Sequence, residues 1–154
     1  MKTRTGFLTL AFCFATVIAG FAADLNQGSW KLNEAKSKIP AGTPKNLTVV
    51  YTADGDNMKA VVEGVDGAGK PTHNEWTGKF DGKDYPVTGD AQSDTRSLKK
   101  ISDHKYQLTG KKGDKVVTTG TVSISADGKT RTLTINGTDA KGKKFKSTAV
   151  YDRQ

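Results

Sequence analysis

The chain has 154 residues and a net charge of +8, with 34% hydrophobic residues and a single cysteine. That length suits one domain, and one cysteine excludes a disulfide-stapled scaffold. No stretch offers the roughly 20 consecutive apolar residues that a spanning helix needs.

Lys2 and Arg4 precede the apolar run Phe7 to Ala19, and Gly20-Phe21-Ala22 supplies the small residues of a cleavage site. Residues 1–23 are therefore expected to be a bacterial secretory signal peptide, placing the mature chain in the periplasm or outside the cell. Cys13 follows Phe12 rather than a small residue, which argues against a lipid anchor. Residues 24–154 then form the single mature domain, without cysteine and with the charge reduced to +6 once Lys2 and Arg4 leave.

Gly28-Ser29-Trp30-Lys31-Leu32-Asn33 opens this region as a first strand over 28–33. The segment Glu34 to Lys45 carries Pro40, Gly42 and Pro44, which allow one helical turn near Glu34 to Ser37 and then an irregular crossing. From Asn46 onward, runs rich in Val, Thr, Ile and aromatics alternate with Gly/Asp punctuation, the pattern of consecutive antiparallel strands. The spacing predicts strands over 46–53, 57–65, 71–80, 94–101, 104–111, 115–125, 130–138 and 143–152, with a short one at 84–88. Asp54-Gly55, Asp66-Gly67, Asp81-Gly82, Asp127-Gly128 and Asn136-Gly137 read as turn formers that tolerate positive φ. The calcium-loop reading of the Asp-rich turns lacks the distant Glu and the flanking helices.

Polarity alternates along each strand, so one face is buried and one is wet. Leu47, Val49 and Tyr51 share the inward side with Met58, Ala60, Val62, Trp76, Gly78, Phe80, Leu98, Tyr106, Leu108, Val122, Ile124, Leu133, Ile135, Phe145, Ala149 and Tyr151. An open sheet of this kind would leave two bare edges, and closure removes both. The expected fold is all-β, an antiparallel up-and-down β-barrel of roughly eight to ten strands.

A barrel whose first strand carries Gly28-x-Trp30, and whose last ends Ala149-Val150-Tyr151-Asp152-Arg153, resembles the calycins, in particular the bacterial lipocalin-like secreted proteins. The resemblance implies barrel closure by Gly28, Trp30 and Arg153, with the Arg153 guanidinium packed over the Trp30 ring. It implies a ligand held in the barrel interior. Two features depart from the fatty-acid-binding branch: Ala149 stands where an arginine would clamp the ligand carboxylate, and residues 34–45 are too few for a helical cover.

Arg96 and Arg131 fall on the inward parity, where a buried charge requires water, a carboxylate partner or an anionic ligand. With Trp76, Tyr106 and Tyr151 they make up the candidate ligand site. The simpler alternative has both arginines, each near the start of its strand, reaching solvent with their heads. His73 and His104 form no metal or catalytic pair, and no nucleophile elbow, phosphate loop or dinucleotide motif occurs. No enzyme activity, metal or cofactor is therefore expected.

Lysines cluster at Lys99-Lys100, at Lys111-Lys112 and around Lys141 to Lys146, a candidate surface for an anionic envelope component. The aromatics follow the inward parity, which leaves no stacking platform for nucleic acid. The leading expectation is an exported barrel binding a small apolar or amphipathic ligand without catalysis. The alternative is a cell-envelope interaction protein acting through loops at Asp66 to Lys70 or Asp139 to Lys143.

Overall fold

A computed structural model of the chain describes residues 24–138 and 142–154. The signal peptide expected over 1–23, and Asp139 to Lys141 of one candidate loop, lie outside the described residues. Ten strands follow one another: β1 Gly28–Leu32, β2 Lys45–Asp54, β3 Asn57–Val65, β4 Pro71–Gly78, β5 Tyr85–Thr88, β6 Thr95–Ser102, β7 Lys105–Lys112, β8 Lys115–Ile124, β9 Thr130–Thr138 and β10 Lys144–Arg153. The helical turn is a single 3₁₀ turn over Glu34–Lys36, capped by the Asn33 side chain accepting from the Lys36 backbone N–H.

Each strand pairs antiparallel with its sequence neighbours, and β1 pairs with β10 to close an up-and-down barrel. The closing seam sets Trp30 opposite Arg153 and Leu32 opposite Tyr151. Gly55, Gly82, Gly113 and Gly128 take positive φ in four of the connections, which is why the strands can reverse so tightly.

Alternation along the strands fills the interior with Trp30, Val49, Tyr51, Ala60, Val62, Trp76, Leu98, Tyr106, Val122, Ile124, Leu133, Ala149 and Tyr151, all buried. Burial of each larger side chain contributes roughly 1.5–3 kcal/mol.

Two expectations fail, each for a local reason. Leu47 is 36% exposed rather than inward, because the β2–β3 register shifts between Asn46 and Thr48 and the bulge turns Leu47 outward. Asn136-Gly137 is not a turn but lies within β9. Gly137 is there because a Cβ would stand 2.8 Å from the Phe145 ring across the β9–β10 ladder. A smaller shift concerns Asp66-Gly67, where the positive φ falls on Gly69 instead.

Candidate functional site

The two ends of the barrel differ in construction. The floor carries the β2–β3, β4–β5, β6–β7 and β8–β9 turns together with residues 24–27; the mouth carries the remaining connections. Residues 24–27 are bound to the floor through side chains from distant strands. Trp30 Nε1 donates to the Asn26 carbonyl at 2.9 Å. Arg153 donates from Nη2 to the Leu25 carbonyl at 2.6 Å, from Nη1 to the Gln27 carbonyl at 2.7 Å and from Nε to the Gly128 carbonyl at 2.6 Å. Its guanidinium carbon lies 4.2 Å from the Trp30 ring centroid. Gly28, at φ 122°, leaves room for this guanidinium, since a Cβ there would come within 2.5 Å of Arg153 Nη1. Asp24 accepts from the Tyr106 hydroxyl and the Lys100 ammonium.

Above this floor the lower barrel is solid. Trp76 stacks on Phe80 with centroids 6.2 Å apart, and Phe80 meets Tyr106 edge-on at 5.1 Å. Trp76 Nε1 donates to the Arg96 carbonyl at 2.9 Å. Burial and the Asp24 carboxylate raise the Tyr106 hydroxyl pKa far above its ordinary value. Trp76 and Tyr106, expected in the ligand site, are therefore part of the packed lower half and do not line the cavity. Parity correctly gave their inward direction but carries no information about height along the barrel axis.

The upper barrel is hollow. A cavity of about 220 Å³ opens toward the mouth, walled by Val49, Val62, Leu108, Leu133, Ile135 and Ala149, with Ile39 and Pro44 from the β1–β2 crossing at its rim. Among the candidate ligand residues, Arg96, Arg131 and Tyr151 line it. Arg96 sits near the mouth and donates from Nη2 to Asn74 Oδ1 and to Asp90 Oδ2, both at 3.2 Å. Asp90 also accepts from the Ser93 hydroxyl and the Gln92 backbone N–H, which folds the β5–β6 loop against the rim.

Arg131 behaves otherwise. It is 2% exposed, so its head does not reach solvent as the simpler sequence reading held. Nε donates to Asn26 Oδ1 at 3.0 Å, and the guanidinium carbon lies 5.7 Å from the Tyr51 ring and 5.3 Å from the Tyr151 ring. Nη1 of Arg131 and Nδ2 of Asn26 have no hydrogen-bond partner. Desolvation pushes the Tyr151 hydroxyl up to about 12, against the opposing field of Arg131, so it stays neutral and offers no countercharge. Asn26 escaped the sequence reading because residues 24–27 have no period. The signal that could have found it is an inward arginine with no acid facing it.

Several of the surface lysines are paired. Lys100 bridges Asp24 and Asp103, Lys111 meets Asp84 and Lys112 meets Asp94, which reduces the positive field expected of those clusters. His73 lies on the outer face between Glu63 and Glu75. No group of three or more His, Cys, Asp or Glu among the described residues could hold a metal ion, and no described helix is long and apolar enough to cross a membrane.

These features define a closed ten-stranded antiparallel barrel with a packed lower half and an internal cavity above it. No protein-family model matches the chain, and no curated protein matches it. Among solved structures, the chain is similar to EF1p2_mFAP2b bound to DFHBI at 11% identity and a TM-score of 0.49, covering 86% of this chain and 97% of that one. It is also similar to a redesigned β-barrel, b11L5F_LGL, at 11% identity and a TM-score of 0.44, covering 84% and 92%.

Proposed function

We propose that the protein is an exported, non-catalytic barrel that holds a small apolar or amphipathic molecule in the upper-barrel cavity. One observation carries this reading: an internal space of about 220 Å³ with aliphatic walls, in a barrel whose other half is packed by aromatic side chains. Protein interiors pack to near crystalline density and seldom leave voids beyond a water or two. Concave apolar chambers with a few polar groups are the usual setting for small ligands. Export is supported by the charged, apolar and small-residue order of positions 2–22 and by the absence of cysteine after Cys13.

The test is to fill the space. Ala149 is 7% exposed and lines the cavity. Ala149→Phe should abolish binding of the compact neutral fluorophore 1-naphthylamine while the protein stays folded, at a cost of roughly 1–3 kcal/mol for overpacking. Unchanged binding in Ala149→Phe, or no binding by the unmodified protein, would overturn the reading.

A further inference from the structure

We propose that the cavity is built for a compact organic monoanion, a carboxylate of one ring or a short chain, whose charged end meets Arg131. This inference rests on the reading of the cavity as a ligand chamber and names the chemistry of its occupant.

The first support is charge. Three cations and two carboxylates line the cavity: Lys45, Arg96, Arg131, Asp66 and Asp90. Lys45 pairs with Glu34 and Arg96 with Asp90, while Asp66 accepts the backbone N–H groups of Ala68 and Lys70. No carboxylate among the described residues pairs with Arg131. A buried charge without a partner is among the costliest arrangements in a protein.

The second support is the shape of what is missing. Tyr51 and Tyr151 hold the guanidinium over their ring faces, which partly compensates the charge and fixes the plane of the fork. Nε is occupied by Asn26 Oδ1. Arg131 Nη1, on a residue of the cavity wall, is a buried donor without a partner, so the complement must be an acceptor. A planar carboxylate matches the guanidinium fork in geometry and in sign.

The third support is size. A cavity of about 150 Å³ accepts benzene, so one of about 220 Å³ takes on the order of ten non-hydrogen atoms on the same scale. A long-chain fatty acid exceeds this, and the aliphatic wall suits the short organic part.

The experiment compares isosteric pairs by calorimetry in chloride-free buffer: phenylacetate against phenylacetamide, and octanoate against octanamide, with palmitate as the long-chain arm. The carboxylates should bind at least tenfold more tightly than the amides and than palmitate. Arg131→Met should lose the carboxylate preference, keep binding of 1-naphthylamine, and melt at the same or a higher temperature when ligand-free. Should Arg131→Met not fold, Arg131→Lys, which keeps charge without the fork, should weaken carboxylate binding at least tenfold. Equal affinity for acid and amide, undiminished carboxylate binding in these variants, tighter binding of palmitate, or response to chloride or phosphate alone would overturn the inference. If the neutral fluorophore binds and no carboxylate does, the inference fails while the ligand-chamber reading stands. If nothing binds, both fail.

Discussion

Arg153 is committed at every nitrogen. Three backbone carbonyls accept from it, and its face covers Trp30. Hydrogen bonds from a charged donor contribute about 1.5–3 kcal/mol each, though not additively, and the ring contact about 1 kcal/mol. Arg153→Ala should therefore lower stability by about 2–4 kcal/mol, and Arg153→Lys should restore little of it, because an ammonium cannot reach three divergent acceptors. Chemical denaturation with Trp fluorescence measures both. Gly28→Ala should be costly for an alanine substitution, about 1–3 kcal/mol, since φ 122° and the Arg153 guanidinium both oppose a Cβ; a neutral result would show that the guanidinium can move aside.

The residues of this floor were partly legible. The resemblance carried by the first and last strands named Gly28, Trp30 and Arg153. The burial of Arg131 was not, because its place near the start of β9 suggests an exit to solvent. That exit is closed by Asn26, from a stretch with neither period nor motif.

At the scale of elements, the sequence carried the strands well, since Val/Thr-rich alternation and Asp-Gly turns agree with each other along most of the chain. It failed where packing overrode turn chemistry, as at Asn136-Gly137, and where a bulge broke the alternation, as at Leu47. The β5–β6 loop shows the same dependence on close approach. Gly89 sits at φ 76° with its Cβ position 2.2 Å from the His73 carbonyl. Gly89→Ala should push this loop off β4, loosen the Asp90–Arg96 pair at the rim, and weaken fluorophore binding more than it lowers the melting temperature.

Several connections are held by carboxylates whose pKa values lie below the ordinary range. Lys112 and the Gly113 N–H hold Asp94 down, Ser125 and the Lys129 N–H hold Asp127 down, and Asn33 and Lys36 hold Asp152 down. A depressed folded-state pKa gives stability that is present above the unfolded value, near 4 for Asp, and is lost as pH falls through the folded value. The melting temperature should hold between about pH 5 and 7 and decline below about pH 4, and Asp94→Asn with Asp152→Asn should flatten that decline. His73 acts with the opposite sign. Glu63 raises its pKa, so its contribution is present below about 6.5 and fades as pH rises through the folded value.

Over the whole molecule the barrel is unevenly sewn. β5 pairs with β4 and with β6 through two residue pairs each, whereas β9 and β10 are in register from Thr130 to Thr138. Few ladder bonds mean cheap local opening, so amide exchange should be fastest around β5 and slowest in β8 to β10. Uniform protection would contradict this. The closed architecture was legible because nine or more one-sided strands need a way to hide their edges. The division into a solid and a hollow half was not, because an inward residue reads the same at either height.

The stopper at the bottom of the barrel has a consequence for how the molecule is made. Leu25 and Gln27, near one extremity of the described chain, are gripped by Arg153, next to the other. A polypeptide still emerging from a ribosome cannot finish its base until Arg153 is free. Trp30 therefore stays uncovered in every nascent form that stops short of Arg153, and completion of the base is a single late event.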